Sequence, residues 1–147
     1  MTSPADSRQR PDRPIVGVGV VVWRGDNFLL VQRGKAPNKG HWSIPGGAQQ
    51  LGETVNAAAA REVLEETGLS VEVGALIDVV DGIMNDDNGE VEYHYTLVDV
   101  VAESLGGEPV AADDAADVGW FNLDDLKALN LWTETERIIR ESVLKRS

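Results

Sequence analysis

The sequence contains no cysteine among its 147 residues. A disulfide framework, a thiolate metal site and a cysteine nucleophile are therefore excluded, and a reducing compartment fits this composition. The chain also lacks any apolar run of about 18 residues, the length of a membrane-spanning helix, and its first 13 residues carry no apolar core of the signal-peptide type. We therefore expect a cytoplasmic protein that does not span a membrane, with a flexible tail over residues 1–13.

Basic residues are scarce, with 13 Lys and Arg against 25 Asp and Glu, which gives a formal net charge of −12. Binding to polymeric nucleic acid needs cationic side chains that displace the counterions around phosphates, so this charge argues against a DNA or RNA partner. An acidic excess by itself indicates solubility. The length is that of one domain, which we place at residues 14–147.

Apolar patterning indicates strands and helices that alternate without a strict βαβ rhythm. A β-hairpin is predicted over residues 15–23 and 28–32, and a long helix over residues 54–67. The remaining predicted elements are strands at 70–81, 90–103 and 118–121, a short helix at 123–129 and a terminal helix at 134–145. This order favours a mixed sheet covered by helices over a doubly wound parallel sheet.

The predicted long helix carries an acidic cluster. Glu62, Glu65 and Glu66 are spaced i, i+3 and i+4, so their carboxylates fall within one sector of the helix surface. Like charges at this spacing repel, and Arg61 can neutralise only part of the cluster, whereas a hard divalent cation would bind several carboxylate oxygens at once. A solvated acidic face is the alternative by spacing alone. The opposite, apolar face that we expect to pack consists of Ala57, Ala60, Val63 and Leu64.

The residues before and along this helix follow a specific pattern. Gly47 is followed after five residues by Glu53, after seven more by Arg61-Glu62-Val63, then by Glu65-Glu66 and by Gly68-Leu69. This pattern resembles the signature of the Nudix hydrolases and fills each of its specified positions. The resemblance extends to the N-terminal hairpin, which occupies the usual place, to the loop at residues 40–47, and to the later strand and short helix at residues 118–126. Together these segments span about residues 14–129.

The resemblance implies an α/β fold, the Nudix α/β/α sandwich with a mixed sheet between helices. It also implies hydrolysis of a diphosphate in a small nucleotide, assisted by Mg²⁺ or Mn²⁺. The chain looks most like small bacterial ADP-ribose pyrophosphatases, so the expected substrate is ADP-ribose or a related nucleotide sugar. The alternatives are a (d)NTP pyrophosphohydrolase that cleans the nucleotide pool and a non-catalytic nucleotide-binding regulator. A homodimer is compatible with the resemblance.

The resemblance also assigns roles to individual residues. The predicted metal ligands are Glu62, Glu65, Glu66 and the backbone carbonyl of Gly46, where two glycines permit close approach of the backbone. Glu62, Arg61 and Glu65 are the predicted catalytic residues. Glu62 is the candidate base for the attacking water, with a residue on a later loop as the alternative.

Three residues outside the signature are candidates for substrate binding. Arg33 and Lys39 belong to a basic loop in an otherwise acidic chain and could hold phosphate oxygens, although surface solubility explains them equally well. Asp114 is the carboxylate that we expect to complete the site from the loop before Trp120. Glu53, near the helix start, is interpreted as structural, because a carboxylate is favoured by the dipole there. Trp42 and Trp120 are interpreted as core residues.

Overall fold

The computed structural model describes residues 8–35 and 38–147. In this part of the chain the strands are β1 (Ile15–Arg24), β2 (Asn27–Arg33), β3 (Trp42–Ser43), β4 (Gly46–Ala48), β5 (Val71–Asn85), β6 (Val91–Ser104) and β7 (Ala115–Phe121). The helices are α1 (Val55–Thr67), α2 (Leu126–Leu129) and α3 (Thr133–Ser142), with single 3-10 turns at Leu123–Asp125 and Val143–Lys145.

The strands form one mixed sheet in the order β3-β2-β1-β6-β5, with β4 paired to β1 and β7 paired to β2. The central pair, β1 and β6, is parallel and runs from Ile15 opposite Tyr95 to Trp23 opposite Glu103. The other pairs are antiparallel, as a hairpin between β1 and β2 requires. The predicted mixed sheet is therefore confirmed.

Helices cover both faces of this sheet. One core joins Val20, Val22 and Leu29 of the sheet to Ala59 and Val63 of α1. The other core lies on the opposite face and is built on Trp23 and Phe28, with the side chains of Leu126, Ile138 and Ile139 from α2 and α3. Full burial of each Val, Leu, Ile or Phe side chain in these cores contributes about 1.5–3 kcal/mol. The predicted α/β/α sandwich is confirmed.

Helix α1 begins and ends where its sequence indicates. The Thr54 side chain accepts a hydrogen bond from the Ala57 amide, which satisfies one of the free N–H groups of the first turn. At the other end Gly68 adopts φ 75° and donates its N–H to the Leu64 carbonyl. Glycine is favoured in this left-handed conformation, so the helix stops at Thr67.

The predicted apolar face of α1 is wrong for two of its four residues. Leu64 is 53% exposed and Ala57 is also exposed, whereas the buried side chains on this helix are those of Ala58, Ala59, Val63 and Thr67. The small side chains of Ala58 and Ala59 let α1 lie close to the sheet. The face of the helix that packs is therefore on the side of the glutamates.

Two smaller expectations also differ from the structure. The segment at residues 33–47, interpreted as a loop, contains the short strands β3 and β4. The terminal helix, predicted over residues 134–145, ends at Ser142; Ile138 and Ile139 are buried in it, whereas Val143 lies beyond its end and is 42% exposed.

Of the predicted tail, residues 1–7 lie outside the described residues, and Gln9 and Arg10 are hydrogen-bonded to β6. In the described residues, no helix is long and apolar enough to cross a membrane.

Candidate active site

Glu62 and Glu66 lie on the inward side of α1. At about 100° per residue, both project between Ala58 and Ala59, which are fully buried against the sheet. Glu65 projects to the outer side, and its side chain is 44% exposed. The sequence predicted one outward acidic face, and the structure instead divides the cluster into two inward carboxylates and one outer carboxylate.

Arg61 connects three of the carboxylates. Its Nε donates to Glu53 Oε2 at 2.6 Å and its Nη2 to Glu53 Oε1 at 2.9 Å, so the guanidinium grips both oxygens of that residue. Its Nη1 donates to Glu62 Oε1 at 2.8 Å and to Glu65 Oε2 at 3.2 Å. A fifth bond from Nη2 to the Ala48 carbonyl, at 3.1 Å, fixes the guanidinium against β4. Arg61 therefore fixes where Glu62 and Glu65 point.

Glu53 acts as the structural residue that the sequence indicated. Its carboxylate holds Arg61 and also accepts a hydrogen bond from the Gln50 amide at 3.1 Å. These hydrogen bonds, that of Arg61 above all, lower the pKa of Glu53. The shift favours the ionised form of Glu53, which holds the guanidinium in place.

The two inward glutamates are in a different electrostatic state. Burial raises the pKa of Glu66 to about 7, against an ordinary value of 4.5, and the neighbouring charge of Glu62 adds to the rise. Burial also raises the pKa of Glu62, although the hydrogen bond and charge of Arg61 oppose it. Because burial makes the charged state of both carboxylates unfavourable, a bound cation would stabilise that charged state.

The two glycines of β4 make the close approach to α1 possible. The Gly46 amide donates to Glu66 Oε1 at 2.9 Å. A Cβ on Gly47 would lie 2.5 Å from both Cδ and Oε1 of Glu62, so a side chain there would displace this carboxylate. A Cβ on Gly46 would overlap the Val18 carbonyl on β1. Each glycine is therefore required by the packing of β4 between β1 and the glutamates.

A cavity of about 440 Å³ opens over this arrangement. Its walls include the carboxylates of Glu62, Glu65 and Glu66 and the backbone of β4. The other lining side chains that are charged or aromatic are those of Arg8, Arg33, Lys35, Arg61, Tyr93, Tyr95, Asp113 and Asp114. Both signs of charge thus face one space of the size that a small nucleotide needs.

The residues predicted outside the signature are only partly brought together. Arg33 and Asp114 line the cavity. Asp114 also pairs with Lys35 at 2.8 Å. Lys39 is exposed and is not among the lining residues, so Lys35 lies where we expected Lys39. Trp42 and Trp120 pack against the two cores, as predicted.

Among the charged and aromatic lining residues, Arg8, Tyr93 and Tyr95 were given no site role by sequence reasoning. The tyrosines alternate along one strand, and this i, i+2 spacing places both side chains on one face of the sheet. That spacing was a usable signal for the tyrosines. Arg8 carried no comparable signal, since it belongs to a polar segment without periodicity.

The carboxylate set suits a hard divalent cation, because Glu62, Glu65 and Glu66 offer only oxygen donors and the two inward ones are costly when charged. Within residues 8–35 and 38–147, however, no three His, Cys, Asp or Glu side chains already converge to hold a metal ion. Arg61 draws Glu62 and Glu65 toward itself, and Glu66 is bonded to the Gly46 amide. A metal ion held by all three glutamates would therefore require some movement of these side chains, while one oxygen of each can keep its present hydrogen bond.

The fold and the signature place the chain in a known class. The NUDIX domain family model matches residues 13–142, and the protein therefore belongs to the Nudix family. It is a hydrolase of this family that acts on phosphoanhydride bonds. Members of the family generally act on small nucleotides and use divalent metals such as Mg²⁺ or Mn²⁺.

Similar proteins carry different substrate names. The chain is 36% identical over 128 residues to the ADP-ribose pyrophosphatase of Methanocaldococcus jannaschii. The aligned region covers 87% of this chain and 72% of the relative. It is 32% identical over 118 residues to the oxidized purine nucleoside triphosphate hydrolase of Danio rerio, over 78% of this chain and 70% of the relative. Among solved structures, the MutT Nudix hydrolase of Burkholderia pseudomallei is 34% identical, with a TM-score of 0.76 over 88% of this chain and 98% of that one.

Proposed function

We propose that this Nudix hydrolase cleaves the diphosphate of a small nucleoside diphosphate derivative, with ADP-ribose or a related nucleotide sugar as its first candidate substrate. The observation that carries the proposal is the pair of inward carboxylates, Glu62 and Glu66, at the floor of a cavity of about 440 Å³. The similarity to an ADP-ribose pyrophosphatase supports the choice of substrate.

The residues that would hold Mg²⁺ or Mn²⁺ are Glu62, Glu65 and Glu66 with the carbonyl of Gly46. Such an ion, when bound, lowers the pKa of coordinated water and stabilises negative charge on the diphosphate. This role fits an acidic protein, since a cluster of glutamates would otherwise repel the substrate.

The chain's own residues divide the remaining work. Glu62 is the proposed base, because burial brings its pKa upward, toward the range in which a carboxylate can accept a proton near neutral pH. Arg61 positions Glu62 and Glu65 through its hydrogen bonds to both. Arg33 lies where it can bind phosphate oxygens, and Asp114, paired with Lys35, forms part of the same wall.

A (d)NTP pyrophosphohydrolase is the second candidate, and the similarity to an oxidized purine nucleoside triphosphate hydrolase favours it. Both candidates use the same carboxylates, and they differ in the group attached to the nucleoside diphosphate. A non-catalytic nucleotide-binding regulator is the third, less favoured candidate, because all the signature glutamates are present. A homodimer stays a prediction.

A substrate panel in Mg²⁺ separates these candidates. Nucleotide sugars, canonical and oxidised (d)NTPs and ADP-ribose would be incubated with the wild type, with Glu66→Gln and with Glu72→Gln, whose glutamate is exposed on β5 outside the cavity. Release of AMP and ribose 5-phosphate by the wild type and Glu72→Gln, but not by Glu66→Gln, is the expected result. Turnover confined to nucleoside triphosphates would favour the second candidate, and binding without turnover would favour the regulator.

A further inference from the structure

The segment just before β1 is bonded to the start of β6. The backbone N–H of Arg10 donates to the Glu92 carbonyl at 2.7 Å, and the Gln9 side chain donates to Glu92 Oε2 at 2.7 Å. The Arg10 guanidinium pairs with Asp86 at 3.0 Å, in the turn between β5 and β6. These bonds tie the segment to the sheet, next to the cavity tyrosines Tyr93 and Tyr95.

The backbone of this segment also adopts an uncommon conformation. Arg10 has φ 50°, in the left-handed region that residues other than glycine rarely occupy. The bonds on its main chain and side chain hold it there. The chain thereby turns at Arg10, and the residue two positions earlier, Arg8, reaches the cavity wall.

This anchoring places Arg8, a cationic residue, at the cavity. Lys35 pairs with Asp114 and Arg61 with three glutamates, so both already compensate charge within the protein. Arg8 forms no ion pair with any residue in the described part of the chain. Its charge nevertheless acts on the Glu62 carboxyl. Arg8 therefore lines the same cavity as Glu62, Glu65 and Glu66, where the diphosphate would bind.

We infer that Arg8 binds a phosphate group of the nucleotide substrate and that its anchor on β6 positions it for this interaction. A guanidinium suits this role, because its fork of donors matches phosphate oxygens and its charge persists at every working pH. In a chain with net charge −12, such a residue also lowers the repulsion of an anionic ligand. The inference rests on the proposed function.

A competing role for Arg8 is to balance the charge of Glu62 without touching substrate. The two roles predict different kinetics. If Arg8 binds phosphate in the Michaelis complex, its removal raises KM for the nucleotide, whereas removal of a charge that only balances Glu62 changes the Mg²⁺ concentration needed for half-maximal rate. Measurements at saturating Mg²⁺ isolate the first effect.

The test compares the wild type with Arg8→Ala, Arg8→Lys and Arg10→Ala, using the nucleotide that the wild type hydrolyses best. Arg13→Ala is the matched control, because Arg13 belongs to the same segment, is 81% exposed and pairs only with the adjacent Asp12 among the described residues. Arg8→Ala is expected to raise KM by about tenfold with kcat within about twofold of wild type, as for removal of one charge-assisted hydrogen bond. Arg8→Lys should recover part of this loss, Arg10→Ala should raise KM by less, and Arg13→Ala should match the wild type.

The outcomes separate the inference from the proposed function. An inactive wild type on every nucleotide overturns the proposed function, and the inference with it. An active wild type with an unchanged KM in Arg8→Ala, or with a change only in the Mg²⁺ requirement, overturns the inference alone. The thermal midpoint of each variant, expected within about 2 °C of wild type for Arg8→Ala, verifies that the fold is retained.

Discussion

Replacing Glu66 with glutamine should stabilise the protein in the absence of metal while abolishing its response to Mg²⁺. Glu66 is partly buried, and this burial raises its pKa to about 7 from an ordinary 4.5. Well below pH 4.5 the carboxyl is protonated in the folded and unfolded chains, so it carries no penalty. Between pH 4.5 and about 7 the unfolded chain loses this proton first, so the free energy of unfolding falls as pH rises.

The magnitude follows from the size of that pKa change. Each tenfold change in proton affinity corresponds to about 1.4 kcal/mol, so the penalty above pH 7 reaches up to about 3 kcal/mol. Glutamine is neutral throughout this range, and its side-chain carbonyl can still accept the hydrogen bond from the Gly46 amide. In EDTA at about pH 8, Glu66→Gln should therefore be more stable than wild type by up to about 3 kcal/mol, and nearly equal to it at about pH 4.5.

Urea unfolding at both pH values, in EDTA and in Mg²⁺, measures these differences. Mg²⁺ should raise the stability of the wild type at about pH 8 and leave Glu66→Gln unchanged. Glu72→Gln, exposed on β5, serves as the control and should stay within about 0.5 kcal/mol of wild type. If Glu66→Gln were less stable than wild type at the higher pH in EDTA, Glu66 would be a structural hydrogen-bond acceptor and not a costly charge, contrary to this prediction.

Three further changes have defined outcomes. Gly47→Ala should lower kcat at least about tenfold, because the new Cβ would collide with the Glu62 carboxylate, and steady-state kinetics measures this loss. Arg61→Ala should lower the thermal midpoint by at least about 3 °C, because it removes five hydrogen bonds and leaves Glu53 and Glu62 without the guanidinium. An unchanged thermal midpoint would contradict this prediction. Asp99 is 5% exposed beside Gly19, and burial raises its pKa to about 6. The free energy of unfolding of the wild type should therefore fall between about pH 4 and pH 6, and Asp99→Asn should remove this fall. Urea unfolding should show that Asp99→Asn is more stable than the wild type at about pH 8.

Much of the fold could be predicted from local sequence features. Thr54 and Gly68 bound α1 because a side-chain cap and a left-handed glycine act within a few residues of the helix ends. The hairpin between β1 and β2 also follows from two apolar runs around a short turn. The Nudix pattern then identified the helix with the candidate metal ligands, because its residues are close in sequence.

The parts that could not be predicted depend on contacts between distant segments. The inward direction of Glu62 and Glu66 is set by how α1 packs on the sheet, and helix periodicity alone allowed a rotation that buried Leu64 instead. The position of Arg61, which orients Glu62 and Glu65, depends in part on a carbonyl of β4. Arg8 lies at the cavity next to residues 9 and 10, which bond to β6 more than 80 positions along the chain.

Metal-dependent cleavage of a small nucleotide at the inward carboxylates can be measured as the rate of ADP-ribose hydrolysis against Mg²⁺ concentration. The proteins to compare are the wild type, Glu66→Gln and the control Glu72→Gln. We expect turnover that vanishes in EDTA, saturates with Mg²⁺ in the wild type and Glu72→Gln, and falls by at least about 100-fold in Glu66→Gln at every Mg²⁺ concentration. Equal Mg²⁺-dependent rates in wild type and Glu66→Gln would contradict a role for Glu66 in metal-dependent cleavage.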